Sequence, residues 1–391
     1  MTVQGADISL QTTNLIGAAA RRPGYLFNPW IDFLCLGGAS LIVFPFLVFL
    51  VPANAPGASL AVIATATLIL SSVINFPHFA HSYQIFYRDY SRKAFGNGED
   101  RILRLRYVAA GIVVPLAIAT FLGVAYLSAD ARLFGHGANV MGFLAGWHYV
   151  KQGYGMLIVD SVLKRQFFDE REKRVLLANS YAVWIASWMM INATIVETDL
   201  AGLAYYALAM PGWLIIFSLM VVVATSAWAL FVIARKLKAT GRLPINGLVA
   251  YGATLYIWLF IGFTHPTLAL VTPAFHSLQY LVVVWRFQLN AEHDRPEATE
   301  RPANKFVSVF FKSRAIGQFA RFIVVGTLLG LVGFWALPIA LASVLPPISI
   351  GYSSVTVSLF MAWLTINVHH YFLDNVIWRR ENPDTRKYLF S

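Results

Sequence analysis

The sequence predicts an all-α fold, a polytopic transmembrane helical bundle, and three observations carry that prediction. Apolar residues make up 58% of the 391, charged residues only 13%, and the mean hydropathy is +0.62. Soluble domains carry about 25% charged residues, so this chain is roughly half as charged as a soluble one. The net charge is +11, yet the Lys and Arg residues sit in short segments between apolar runs. That is the positive-inside pattern of a membrane protein, and it argues against nucleic acid as a partner. The single cysteine, Cys35, rules out an intrachain disulfide and a cysteine-rich metal site.

A span needs roughly 20 apolar residues. Read in order, the chain offers about ten: 29–52, 58–86, 105–128, 136–159, 176–195, 210–234, 246–264, 266–286, 320–345 and 355–378. Residues 1–28 lack the apolar core of a signal peptide and read as a cytoplasmic N-terminal segment, with Arg21-Arg22 as a basic flank. Basic residues follow spans 2, 4, 6 and 8, at Arg88 to Arg106, Lys164 to Arg174, Arg235 to Arg242 and Arg295 to Arg314. The opposite loops hold Arg132 alone, beside Asp130, Glu197 and Asp199. This asymmetry places both termini in the cytoplasm. The thinnest division, Thr264-His265-Pro266, separates the seventh and eighth spans. Residues 29–378 therefore form a single bundle, interrupted by a charged cytoplasmic loop near 288–318 in which Phe306 to Phe311 lie along the membrane surface. Residues 379–391 form a cytoplasmic tail. Gly326, Gly330 and Gly333 on the ninth span read as close-packing positions. Trp30, Trp213, Trp378 and Tyr388 read as interfacial anchors.

The polar residues inside the spans carry the functional signal. Hydrocarbon does not solvate ionisable groups, so those within spans are functional candidates by default. His78, His276 and His369 each lie ten residues before an arginine (Arg88, Arg286, Arg379), and His148 lies twelve before Asp160. At 1.5 Å per residue all four sit about 15–18 Å from the cytoplasmic ends of their helices, in one layer across four helices. They are the first-choice metal ligands, with His81 and His370 as alternates. Imidazole suits Fe, Cu, Zn and Ni, and a neutral histidine set with few carboxylates nearby fits Fe(II); Zn, Cu and haem stay open. Gln84, Gln152, Gln279 and Asp374 are the groups placed to orient ligating imidazoles. Tyr280 and Asp374 are the candidate catalytic groups. Phe79, Trp147, Tyr149, Phe275 and Tyr371 flank the histidines and read as an apolar wall for a substrate. Lys151 is expected to snorkel to the interface or to meet a polar substrate group, and His136 and His293 to face solvent.

Pro77-His78, Trp147-His148, Phe275-His276-Ser277 and Val368-His369 followed by Asp374 resemble the four histidine motifs of the Brp/Blh membrane proteins, the microbial β-carotene dioxygenases that make retinal. The order of motifs agrees, and some forty residues carry the resemblance. The chain departs from the family in its larger number of spans, in Lys151-Gln152 within the second motif, and in Gln279-Tyr280 within the third. The resemblance implies four-histidine iron and O2 chemistry on a lipid-soluble substrate.

The reading from sequence is thus a non-haem iron oxygenase of the cell (inner) membrane, acting on a carotenoid or other isoprenoid or lipid that enters from the bilayer. Its partners are lipid, substrate and O2, and no electron donor is identified. A haem- or copper-binding electron-transfer protein, and a metal-ion or proton-coupled transporter, are the alternatives.

Overall fold

The computed structural model describes residues 24–50, 57–96, 98, 100–194, 199–200, 203–261, 266–294, 314–348 and 350–390. Its helices in chain order are α1 (Pro29–Phe49), α2 (Ala61–Phe86), α3 (Tyr90–Phe95), α4 (Arg101–Leu127), α5 (Ala131–Leu163), α6 (Glu170–Thr194), α7 (Gly212–Thr240), α8 (Ile245–Phe260), α9 (Pro266–His293), α10 (Ile316–Val344), α11 (Ser354–Ile377) and α12 (Pro383–Phe390). A two-residue antiparallel pair, β1 (Asp199–Leu200) with β2 (Leu203–Ala204), joins α6 to α7.

Seven of these helices are long and apolar enough to cross a membrane: α1, α2, α4, α6, α7, the Leu268–His293 stretch of α9, and α10. The chain is an integral membrane protein. Three expected spans fall outside this set. The described part of α8 is an apolar stretch of 16 residues, about 24 Å long. Helices α5 and α11 have 33 and 24 residues, ample length, but they carry His148, Gln152 and Asp160, and Asn367, His369, His370 and Asp374, all buried. They face protein rather than lipid, so their sequences need not be uniformly apolar.

The centre of the bundle is α2, α5, α9 and α11, which pack on one another. Their side chains form layers. His78, His276 and His370 lie in one layer. Ser82, Tyr280 and Asp374, each four residues further on, are hydrogen-bonded together in the next. Because i and i+4 lie one turn apart on the same face, α2, α9 and α11 run in the same direction. His148 with Gln152, which bonds Gln279, gives the same direction for α5. Apolar clusters close both sides of the histidine layer. Phe134, Phe360 and Leu364 lie toward the helix N-termini, and Val283, Phe287, Val376 and Ile377 toward the C-termini.

Prolines shape the helices around this core. Three turns widened to i→i+5 bonding each end two residues before a proline: Ser71–Asn75 before Pro77, Ala109–Val113 before Pro115 and Val332–Ala336 before Pro338. Proline has no N–H and its ring meets the carbonyl four residues back; a locally widened turn relieves the clash. In α4 the widened ladder runs Val114 N to Ala109 O, and the next carbonyl, Ala110, faces Pro115 with no donor. The expected packing glycines line one face of α10. A methyl group at Gly330 would meet the Phe76 backbone at 2.8 Å, one at Gly333 would meet Ile366 at 3.2 Å, and one at Gly326 would overlap the His81 ring.

Several sequence expectations are revised. Residues 288–293 continue α9 as helix rather than opening a loop, and the tail contains α12, whose Thr385 and Leu389 are buried. Trp30 and Trp213 are exposed, as interfacial anchors require, but Trp378 and Tyr388 are half-buried around Phe287. They pack beneath the core because α12 folds back over the end of α9. Residues 1–23, Glu197, the break at Thr264-His265, Arg295, and Phe306 to Phe311 lie outside the described residues.

Candidate metal centre

Five ionisable side chains from four helices meet at the bundle centre. His78 (α2), His148 (α5), His276 (α9), His370 and Asp374 (both α11) are each between 0 and 5% exposed. The ligand atoms of His78, His148, His370 and Asp374 all lie within 4.8 Å of one another. Asp374 Oδ2 is 3.4 Å from His370 Nε2 and 3.9 Å from His148 Nε2. His276 adjoins this group, with ring centroids 5.3 Å from His78 and 5.0 Å from His148.

The polar atoms of this group are short of hydrogen-bond partners within the protein. His78 Nε2, His148 Nε2, both ring nitrogens of His276, both of His370, and Asp374 Oδ2 are buried with no hydrogen-bond partner among the described residues. Buried polar atoms are almost always paired, and each orphan costs about 1–3 kcal/mol. One unpartnered atom each from His78, His148, His370 and Asp374, close enough together to share a ligand, is the donor set of a metal site. Donors on opposite sides of a first-row ion stand about 4.0–4.4 Å apart, given bonds of roughly 2.0–2.2 Å, so a 4.8 Å cluster fits such an ion after small inward rotations. Three imidazoles and a carboxylate can hold a metal ion.

Surrounding groups fix the donors. Asp374 Oδ1 accepts from Ser82 Oγ at 2.7 Å and from Tyr280 Oη at 3.0 Å, which leaves Oδ2 facing the cluster. Asp374 was expected to orient a ligand; here its free oxygen belongs to the donor group itself. Ser277 Oγ contacts His78 Nδ1 at 3.1 Å and donates to Asn75 Oδ1 at 2.6 Å. Tyr149 stacks on His276 at 3.9 Å and Tyr371 on His148 at 4.8 Å. Phe79 lies 4.7 Å from His78 and 4.8 Å from His370. These three aromatics wall the cluster. Trp147 instead packs toward Phe372, and Phe275 against Phe44.

The adjacent histidines of α11 exchange the places expected of them. His369 Nε2 donates to Ala110 O at 3.0 Å, and its Nδ1 accepts from Tyr83 Oη at 3.0 Å. Both nitrogens are used, away from the cluster. The carbonyl it serves is the one stranded by Pro115, and Tyr87 Oη serves the neighbouring Gly111 O at 3.2 Å. His369 is therefore a structural tie between α11 and the broken α4. His370 joins the cluster in its place because one residue turns the side chain about 100° around the helix while changing its depth by only about 1.5 Å. The alternate His81 faces α10, with Nδ1 donating to Gln84 Oε1 at 2.8 Å and its ring stacked on Phe322 at 4.2 Å.

The three glutamines also act elsewhere than on ligating rings. Gln84 serves His81 and Phe322 O. Gln152 Nε2 donates to the His276 carbonyl at 2.9 Å and to Gln279 Oε1 at 2.8 Å, and Gln279 Nε2 reaches Leu36 O at 2.7 Å. They pin the α9 backbone to α5 and α1. The Leu36 carbonyl is available because Gly37 breaks α1 with φ of 148°. Lys151 is half-buried and lies in electrostatic range of Arg379 and Glu381 at the helix ends, and His136 and His293 are exposed.

Asn75 and Ser82 escaped the sequence reading, and Ser277 entered it as part of the third motif with no role of its own. Ser82 could have been found as the residue four beyond His78, in step with Tyr280 and Asp374; Asn75 is a common polar residue with no comparable signal. No protein-family model, characterised protein or solved structure matches the chain.

Proposed function

We propose that the chain is a membrane-embedded metalloenzyme, an oxygenase acting on a carotenoid, other isoprenoid or lipid drawn from the bilayer of the cell (inner) membrane. Ten helices (α1, α2, α4 to α11) span that bilayer in this reading, with both termini cytoplasmic. The observation that carries it is the convergence of His78, His148, His370 and Asp374, each with an unpartnered polar atom, in the buried centre of the bundle. His276 is the adjoining fifth donor. A first-row ion held there, Fe(II) in this reading, supplies the redox chemistry with O2.

The chain's own residues supply the rest. Ser82 and Tyr280 hold Asp374 Oδ1 so that Oδ2 faces inward. Tyr280 is thereby placed one hydrogen bond from the centre, able to hold a proton at Oη beside a reacting group. Phe79, Tyr149 and Tyr371 offer an apolar surface to a hydrocarbon, and the apolar layers on both sides exclude water, which strengthens every electrostatic interaction within. Haem fits less well. The four donors converge on one point, with His78 and His370 rings only 4.4 Å apart, which leaves no slot for a macrocycle between two axial rings.

The test is metal analysis of detergent-purified protein together with its optical spectrum, followed by O2 uptake on addition of carotenoid or isoprenoid lipids. About one first-row metal per chain, no Soret band and substrate-dependent O2 uptake are expected. Protein that binds no first-row metal even after reconstitution overturns the metal reading, and a metal-loaded protein inert toward O2 with every apolar substrate overturns the oxygenase.

A further inference from the structure

We propose that Ser277, held in turn by Asn75, is a positioning residue for the metal centre: it locks the His78 ring in the tautomer that carries its proton on Nδ1 and presents a bare Nε2 to the cluster. The inference rests on the reading of that cluster as a metal site.

A serine hydroxyl has one hydrogen to give and two lone pairs to receive. Ser277 Oγ stands 2.6 Å from Asn75 Oδ1, an atom that only accepts, so its hydrogen is committed there. Its remaining partner, His78 Nδ1 at 3.1 Å, must then be the donor. A neutral imidazole carries one N–H, so Nε2 is left as a lone pair. Nε2 is also the ring atom buried without a partner, on a residue that belongs to the four-residue cluster. The chain Asn75, Ser277, His78 thus ends in a nitrogen ready to bind a cation without first losing a proton.

The fold explains why this relay is available. Asn75 and His78 are three residues apart, on one face of α2, and that face meets α9 where Ser277 follows His276. Asn75 closes the widened turn that Pro77 requires. Ser277 is completely buried, so no water competes for its hydrogen. Ligating histidines generally use their second nitrogen in this way, and loss of such a partner lowers metal affinity about 10–100-fold.

The test has a metal-free arm and a metal arm. In apo protein labelled with 15N-histidine, the nitrogen spectrum of His78, assigned by its loss in His78→Gln, should show a protonated Nδ1 and a bare Nε2. A protonated Nε2 in the wild-type protein overturns the proposal, whatever the fate of the metal reading. In the metal arm, Co(II) is titrated into wild type, Ser277→Ala and Asn75→Asp. Ser277→Ala should bind Co(II) at least about tenfold more weakly than wild type, with an altered Co(II) visible spectrum; its apo unfolding midpoint should fall modestly, because the buried His78 Nδ1–H loses its acceptor, while the protein still folds. Asn75→Asp keeps an acceptor for Ser277 and should retain wild-type affinity. Unchanged affinity in Ser277→Ala overturns the positioning role. Failure of the wild type to bind Co(II) removes the metal site but leaves the tautomer assignment to the nitrogen spectrum.

Discussion

Replacing His369 and His370 one at a time separates scaffold from site. His369→Ala removes a buried hydrogen bond to Ala110 O and a part-buried one from Tyr83 Oη, each 3.0 Å long. The Ala110 carbonyl has no substitute donor, because the residue positioned to serve it is Pro115. A buried acceptor left unpaired costs about 1–3 kcal/mol, and the freed Tyr83 hydroxyl adds a similar amount. His369→Ala should therefore unfold several degrees lower in detergent while keeping its full metal complement. His370→Ala should behave in the opposite way. Both ring nitrogens of His370 lack protein partners, so their loss removes buried unpaired polar atoms and offsets much of the cavity left behind. Apo stability should change little, while metal affinity falls by more than the roughly 100-fold upper end for losing an outer partner. The assay pairs metal content per chain with thermal unfolding of apo and loaded protein. Metal loss in His369→Ala with unchanged stability, and full metal in His370→Ala, would refute the assignment of the two rings.

Asp374→Asn should fold, because Oδ1 can still accept from Ser82 and Tyr280, but should lose about 10–100-fold or more in metal affinity; full occupancy in Asp374→Leu with stability lost instead would make the carboxylate purely structural. Reporter fusions after Ala131 and Pro347 should report the outside and fusions after Arg165 and Arg242 the cytoplasm, and a cytoplasmic signal from the Pro347 fusion would break the ten-span scheme. At the end of α9, Asp294 pairs with Lys387 of α12 and accepts from Tyr388 Oη at 3.3 Å. The hydrogen bond from Lys387 comes first among the causes that hold the Asp294 carboxyl below its usual value. A depressed carboxylate contributes its stability above the unfolded value, near 3.9, and loses it as pH falls through the folded value. Hydrogen exchange in α12 should thus lose protection as pH falls below about 4, and Asp294→Asn should abolish that pH dependence; an identical profile in the variant would rule the pair out as the clasp.

Membrane character and depth along the helices were legible in the residues. Composition set the solvent, and the count of residues from each histidine to the next interfacial charge put His78, His148 and His276 in one layer, where the rings indeed meet. The i, i+4 relation of His370 to Asp374 was also on the page. Which face each helix turns inward was not legible, because all sides of a span are apolar and the azimuth is set by packing against neighbours. That is why His369 and His370, alike in depth, exchanged places, and why Gln84, Gln152 and Gln279 support backbone and neighbours rather than ligating rings. The number of strongly apolar helices also differs from the sequence count for a tertiary reason. A helix shielded by others, as α5 and α11 are, is free to carry the polar groups from which the centre is built, and only the assembled bundle shows which helices are shielded.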